Sequence, residues 1–372
     1  MRLTTQSGRQ ALVAYCANVH PGETLADVLA AIARFAGPVR RALGVSELGL
    51  GLWLSRKALS EVRAEGVERL RDALAQNRLF TFTLNGFPYG NFQAEVVKRA
   101  VYHPDLGTVE RRQYLLELAA TLAELLPDDV DTGTISTLPL GHREEAAQDL
   151  RERAVRELVK ITGDLARLRD RTRKQIRICL EPEPGCLLET TSDAIEFFSA
   201  LPAGIARDHL GLCFDTCHQA VAHEDPDTAL GALSSAGISI GKVQLSSALV
   251  ADPDALGTFD EPRFLHQVRT LRDDGTLAGA DDLPLTAHLP RERPWRVHFH
   301  VPIHREVVGS VSTTRAFLSR ALDIVAGWQP IPHLEVETYT WSVLPEGERP
   351  NDDASLVAGL AAELGWVRSR IA

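Results

Sequence analysis

Short apolar runs alternate along the chain with longer stretches of helical period. The runs that predict strands are ALVAYCANV (11–19), LGLGLWL (48–54), LFTFTL (79–84), GTISTLPL (133–140), IRICL (176–180), LGLCF (210–214), KVQL (242–245), RVHFHVPI (296–303) and HLEVETYTW (333–341). Between them, Leu115, Leu118, Leu122 and Leu125 step by three and four into one apolar stripe, as an amphipathic helix does. Ser55 opens a helical pattern that runs through Gln76 and stops at Asn77. The same pattern returns at 313–325 and 354–364.

Alternating strands and helices predict a parallel sheet, whose strands are covered on both faces and read as continuous apolar runs. LGLGLWL and LGLCF meet that demand. At 372 residues the chain exceeds the usual size of one domain, and barrels of alternating strands and helices stay undivided at such lengths. The expectation is therefore an α/β fold, a TIM (β/α)8 barrel forming one domain over 1–372. Nine strand candidates exceed the eight of a barrel by one. RVHFHVPI is assigned as the surplus, because it closes a Pro-, Gly- and Asp-rich stretch at roughly 251–294. An inserted loop and strand segment is thus expected over 246–303, after strand seven and above the barrel mouth. An open doubly wound sheet is the alternative, but no glycine-rich phosphate fingerprint follows an early strand.

The formal net charge of -10 removes the bulk positive footprint of a nucleic-acid binder. Cysteines stand at 16, 179, 186, 213 and 217, an odd number without the two-residue spacing of a zinc knuckle or redox motif. They read as reduced apolar filler in a cytoplasmic protein, and Cys213 and Cys217 as packing rather than sulfur ligands. No secretory signal is evident, and no apolar stretch is long enough to span a bilayer.

Chemistry in such a barrel gathers where strands end. The first strand ends in Asn18 and His20, the third in Asn85, and the fifth in Glu181 and Glu183. The sixth gives Asp215 and His218, the seventh Gln244, the inserted segment His298 and His300, and the last strand Glu335 and Glu337. His298 and His300 share one face if RVHFHVPI is a strand. Carboxylates from strands five, six and eight would converge on the barrel axis, where like charges repel and burial is costly. A divalent cation resolves that cost. Carboxylate and imidazole donors suit manganese, zinc, cobalt or iron, and oxygen-rich sets admit magnesium. Alternatives stand beside each residue. Asp215 can serve only as a helix cap, Glu181 as a solvated strand end, and His218 as a ligand or as a group that orients a carboxylate. The aromatics of NGFPYGNF (85–92) form either a substrate platform or a packed turn.

CFDTCH, the EP pair at 181–182 and the ET pair at 337–338 resemble the xylose-isomerase-like TIM-barrel superfamily. That group includes sugar-phosphate isomerases and epimerases, hydroxypyruvate isomerase and endonuclease IV. A longer set resembles the EboE family, the metabolite traffic proteins of bacterial ebo operons: NVHPGET (18–24), TLNGFPYGNF (83–92), ISTLPLG (135–141), LEPEPGCLLET (180–190), DTCHQA (215–220), GKVQLSSAL (241–249), EPRFLHQV (261–268), WRVHFHVP (295–302) and HLEVETYTW (333–341). The superfamily resemblance implies a divalent metal (Mn, Zn, Co or Mg) held by Glu181, Asp215, a histidine and Glu337, with His218 and His300 as the histidine candidates. It also implies Glu181 and Glu337 as a paired acid and base in an isomerase or epimerase of a sugar-like or cyclitol-like metabolite. The chain departs from the pattern on strand seven, where Gln244 stands in place of a histidine. His300, His298 or His266 would supply the missing nitrogen; His20, Asn85 and Glu183 are further candidate contacts. The EboE resemblance implies a small polar substrate and other ebo pathway proteins as partners, with no nucleic acid and no membrane span. Metal-dependent phosphoester hydrolysis of the endonuclease IV type and non-catalytic metabolite binding are the alternatives.

Overall fold

Apolar runs bounded by turn residues become the staves of a closed parallel barrel in the computed structural model, which describes residues 1–372. The staves are β1 (Gln10–Cys16), β2 (Leu48–Trp53), β3 (Leu79–Phe80 with Thr83–Asn85), β4 (Thr132–Thr137), β5 (Gln175–Leu180), β6 (Leu210–Asp215), β7 (Ile240–Leu245) and β8 (His333–Val336). Each pairs in parallel with the next, and β8 returns to β1, so the sheet has no free edge. Every residue of β2, β6 and β7 is buried, as strands covered on both faces require.

The interior is polar at one level. Lys242 on β7 and Glu335 on β8, both fully buried, form an ion pair at 2.6 Å. Gly51 on β2 makes room for them, since a Cβ there would lie 1.3 Å from Glu335 Oε1. Helices cover the outside. Val109–Leu125 buries Leu115, Leu118, Leu122 and Leu125, the stripe its spacing predicts.

Three elements end earlier than their apolar patterns do. The helix expected from Ser55 through Gln76 is two helices, Arg56–Glu65 and Glu68–Gln76, broken at Gly66 with φ +88°. Ser55 still caps the first, its Oγ accepting the Ala58 N–H. The last strand stops at Val336, where Tyr339–Val343 turns into a short 3-10 helix. Of RVHFHVPI only Arg296 and Val297 are strand, the end of Trp295–Val297, and 298–303 is irregular. Val297 is the last residue there with ladder partners, Leu249 and Val268; beyond it His298 N–H donates to Gln267 O and Val301 N–H to Ser247 O.

Between β7 and the helix Arg315–Ala326 lies a second, six-stranded antiparallel sheet. Its order is Leu277–Ala280, Val268–Leu271, Trp295–Val297, Leu249–Ala251, Val311–Thr313 and Val307–Val308. The Pro- and Gly-rich composition that reads as loop therefore accommodates short strands, and the sheet runs on to Thr313. No helix is long and apolar enough to cross a membrane.

Candidate metal centre

Three staves deliver carboxylates to one end of the barrel. Glu181 follows directly on β5, Asp215 ends β6, and Glu337 follows on β8. All are buried, and oxygens from the three lie within 4.8 Å of one another. The two readings of Asp215 prove to be compatible. Its Oδ1 caps the helix Thr216–Val221, accepting the N–H of Cys217 at 2.7 Å and of His218 at 3.0 Å, and also the Ser246 hydroxyl at 2.6 Å. Its Oδ2 has no partner, nor has Glu181 Oε2. On Glu337, Oε1 accepts the side-chain amides of Asn18 and Asn85, each at 2.8 Å.

Three imidazoles face these oxygens. His218 Nδ1 lies 3.0 Å from Pro182 O, and His300 Nδ1 lies 2.8 Å from Glu337 O. Carbonyl oxygens only accept, so each Nδ1 carries the proton and each Nε2 presents a bare lone pair. His298 Nδ1 lies 2.6 Å from Gln267 Oε1, while the Gln267 amide nitrogen donates to Pro184 O and Tyr102 OH. That orientation makes Oε1 the acceptor and leaves His298 Nε2 with its lone pair, 3.5 Å from the Tyr339 hydroxyl. The three Nε2 atoms converge, His298 standing 3.1 Å from His218 and 3.2 Å from His300. Burial pushes all three imidazoles toward the neutral form, His300 down to about 4. No proton is left to bridge these nitrogens. Converging lone pairs, each ring oriented by an acceptor on its other nitrogen, fit a divalent cation's ligand sphere. Asp215, His218 and His300 form one set of donors within 4.8 Å, and Glu183, His218 and His298 a second.

The carboxylates carry a matching strain. Burial, and then the Asp215 charge, pushes Glu181 up to about 8; burial likewise raises Glu183 to about 8. Glu337 is raised well above its ordinary value by burial and then by Glu181 and Asp215. A raised carboxyl favours the folded state below its unfolded value, near 4.5, and loses that contribution as pH climbs through 8. The buried neutral histidines act oppositely, but only below their ordinary 6.5. From about pH 6.5 to 8 the raised carboxyls outnumber the opposing buried Met1 amino group, which burial lowers to about 4. The Tm of metal-free protein is therefore expected to fall across that window, and a divalent cation to remove the fall while releasing protons. Calorimetry in chelator and in zinc checks both.

The remaining predicted residues divide. Asn85 joins the centre through Glu337, and Glu183 accepts the Tyr102 hydroxyl at 2.8 Å beside His298. Gln244 pairs in register with Asp215 and Glu335 and is fully buried, with neither amide atom bonded. His266 does not join the cluster: its Nδ1 meets His298 O at 3.0 Å and its Nε2 meets Glu261 at 2.7 Å, so both nitrogens are used. His20 lies elsewhere, stacked on Phe35 at 4.4 Å and bonded to the Tyr15 hydroxyl. Glu335 is the partner of Lys242, which leaves Glu337 as the β8 carboxylate of the centre. Cys213 is buried, and Cys217 packs with Val221 and Ala248, its thiol raised well above the usual range by burial although Sγ lies within 4.8 Å of His298 and His300 donors. Sequence reasoning missed Gln267 and Tyr102, which orient His298, and Glu363. The Glu363 carboxylate accepts Ile303 N–H at 3.1 Å and the Thr338 hydroxyl at 2.6 Å, tying the segments that carry His300 and Glu337 to the helix Asp353–Ile371.

No curated protein matches the sequence. Among solved structures, a D-allulose 3-epimerase from Methylomonas sp., in complex with D-allulose, aligns with TM-score 0.51 at 14% identity, covering 98% of this chain and 98% of the other. A xylose isomerase-like TIM barrel protein from Mycobacterium smegmatis, in complex with magnesium, aligns with TM-score 0.52 at 13% identity, covering 97% and 98%. The probable 3-DHS dehydratase AsbF of Bacillus anthracis gives 0.51 at 13%, covering 95% and 98%. At such identities the likeness is one of fold. The model of the family described as xylose isomerase-like TIM barrel matches residues 41–278, more than half of the chain. Together with the closed eight-stranded barrel, that match makes this chain a member of the xylose isomerase-like TIM barrel family.

Proposed function

We propose that the protein is a metal-dependent isomerase or epimerase acting on the α-hydroxy carbonyl unit of a small sugar-like or cyclitol-like metabolite. The observation that carries this reading is that His218 and His300 share one set of close donors with Asp215, whose Oδ2 is unpartnered, while Asp215 shares another with Glu181 and Glu337. Asp215, His218, His300, Glu181 and Glu337 would hold the cation, and His298 and the Gln244 carbonyl are the further donors. A cation there supplies Lewis-acid stabilisation of the charge that develops on substrate oxygens. Glu181 and Glu337 carry the protons. One carboxylate takes a proton from the carbon beside the carbonyl, and the other returns one to the neighbouring carbon or to the opposite face. Asn18 and Asn85 hold Glu337 in place for that transfer. The D-allulose epimerase and the magnesium-containing relative support the reaction class and the cation.

The EboE resemblance supports placing the metabolite in an ebo-type biosynthesis or export pathway, beside other ebo proteins. Five free, buried cysteines support a cytoplasmic setting, and the barrel with its inserted sheet reads as one domain.

Deuterium incorporation from D2O at the carbon next to the carbonyl, followed in candidate ketoses and cyclitol ketones, tests the proposal. Substrates that bind without exchange overturn it in favour of a binding protein. The nitrogen-rich set of Glu183, His218 and His298, adjoining the acidic set, favours a second reading: hydrolysis of phosphoesters by several cations. Elemental analysis separates the two. About one ion per chain is expected for proton transfer, and roughly three for a phosphate clamp.

A further inference from the structure

The cavity over the donor cluster is small and partly walled by hydrocarbon. Its volume is about 60 Å³, room for a few water molecules. Phe87, Phe92, Val97, Val101, Phe264 and Leu265 supply the apolar part of its lining, beside the carboxylates and imidazoles of the cluster. At the rim the rings of Phe92, Phe264 and Tyr339 meet pairwise, with centroids 4.9 to 5.3 Å apart.

Polar capacity outside the cluster is nearly all spent. Asn85 donates to Glu337 and accepts the Phe87 N–H. Lys98 is the only lysine or arginine on the wall, and its Nζ is held by Asp282 at 2.5 Å and Glu261 O at 3.4 Å. Asn18 donates to Glu337, but its Oδ1 is buried and unpartnered. Beyond the donor cluster this leaves Asn18 Oδ1 and the Tyr339 hydroxyl, which stands 3.5 Å from His298 Nε2. A polyol brought here would bury several hydroxyls without partners, and a phosphate would find no unpaired cation.

We propose, resting on the proton-transfer reading above, that the substrate is a neutral α-hydroxy carbonyl compound bearing an apolar, ring-sized body. Its two adjacent oxygens face the donor cluster, one hydroxyl donates to Asn18 Oδ1, and the body lies on Phe92, Phe264 and Tyr339. The reaction is an internal proton shift: a C–H bond beside the carbonyl breaks and one forms at the former carbonyl carbon, while the hydroxyl oxygen gives up its proton to become the new carbonyl and the former carbonyl oxygen takes one up, so no oxidant or reductant enters.

Hydroxamates, which present the same oxygen pair, isolate the pocket from catalysis. Calorimetry on zinc-loaded protein compares benzohydroxamate, acetohydroxamate and the polyhydroxylated threonohydroxamate. Benzohydroxamate is expected to bind at least about tenfold tighter than either of the others. Phe264→Ala, or Phe92→Ala if the first does not fold, is expected to remove most of that preference. Equal binding of all three, or a preference for threonohydroxamate, overturns the proposal. In parallel, mass spectrometry follows deuterium entering 2-hydroxyacetophenone from D2O. Exchange faster than with dihydroxyacetone is the expected result. A retained benzohydroxamate preference without any exchange overturns proton transfer and leaves the apolar pocket standing.

Discussion

Asp215→Asn is expected to move metal affinity and metal-free stability in opposite directions. The asparagine Oδ1 can keep the three hydrogen bonds that Asp215 Oδ1 accepts from Cys217, His218 and Ser246, so the cap on the helix Thr216–Val221 survives. Its amide nitrogen takes the place of Oδ2, which now has no partner and lies 3.9 Å from the bare Nε2 of His218. The charge that raises Glu181 and Glu337 disappears, and a donor appears beside an imidazole lone pair. The Tm of metal-free protein should therefore rise. The same change removes an anionic donor, and affinity for zinc or manganese should drop by more than about 100-fold, beyond the 10- to 100-fold typical of lost supporting groups. Asp215→Ala loses the cap as well and leaves buried N–H groups without an acceptor, so the metal-free protein should lose stability, about 0.5–2 kcal/mol for the cap alone, and its Tm should fall. Competition titrations against a chromogenic chelator and thermal melts in EDTA give the two readouts. An asparagine variant with unchanged metal content would remove Asp215 from the centre.

The barrel was legible because a parallel stave is apolar on both faces, a pattern that LGLGLW and LGLCFD carry without ambiguity. The surplus strand RVHFHVPI fell where a barrel has no place for it, and it belongs to the inserted sheet. Boundaries were harder. ETYTW continues the apolar alternation of HLEV, yet the chain must turn at Glu337 to aim that carboxylate at the cluster, and the strand gives way to a 3-10 helix. His298 and His300 were expected on one face through strand alternation. Both do reach the cluster, but from irregular backbone held by bonds to Gln267 and Ser247.

Other features have no local signature. Tyr102, Gln267 and Glu363 act across 165, 31 and 60 residues, as Gln267 to Tyr102, His298 to Gln267 and Ile303 to Glu363. Only a folded chain brings such pairs together. Gln244 on β7, where the superfamily resemblance leads one to expect a histidine, becomes intelligible in the same way. The inserted segment brings His298 and His300 beside His218, and on the proposed metal site their imidazoles would supply the nitrogen donors.

Two glutamates two positions apart should respond to the same isosteric change in different ways. Glu337→Gln keeps an oxygen for the amides of Asn18 and Asn85 and removes a charge from the crowded cluster, so the fold should tolerate it. It cannot take up a proton from carbon. Carbon–hydrogen exchange should fall by roughly 10²- to 10⁴-fold, the range that a positioned acid or base supplies, with weaker metal binding beside it. Glu335→Gln strands the fully buried ammonium of Lys242, whose remaining contacts are Leu84 O and Ser136 Oγ, each at 3.3 Å. Breaking a buried pair from one side costs about 3–5 kcal/mol, so the loss there should appear in Tm and in soluble yield. Exchange rates per folded, metal-loaded molecule, set against thermal melts of both variants, distinguish the two outcomes. Full exchange in Glu337→Gln would take Glu337 out of proton transfer, and a Tm unchanged in Glu335→Gln would show that Lys242 does not depend on its partner.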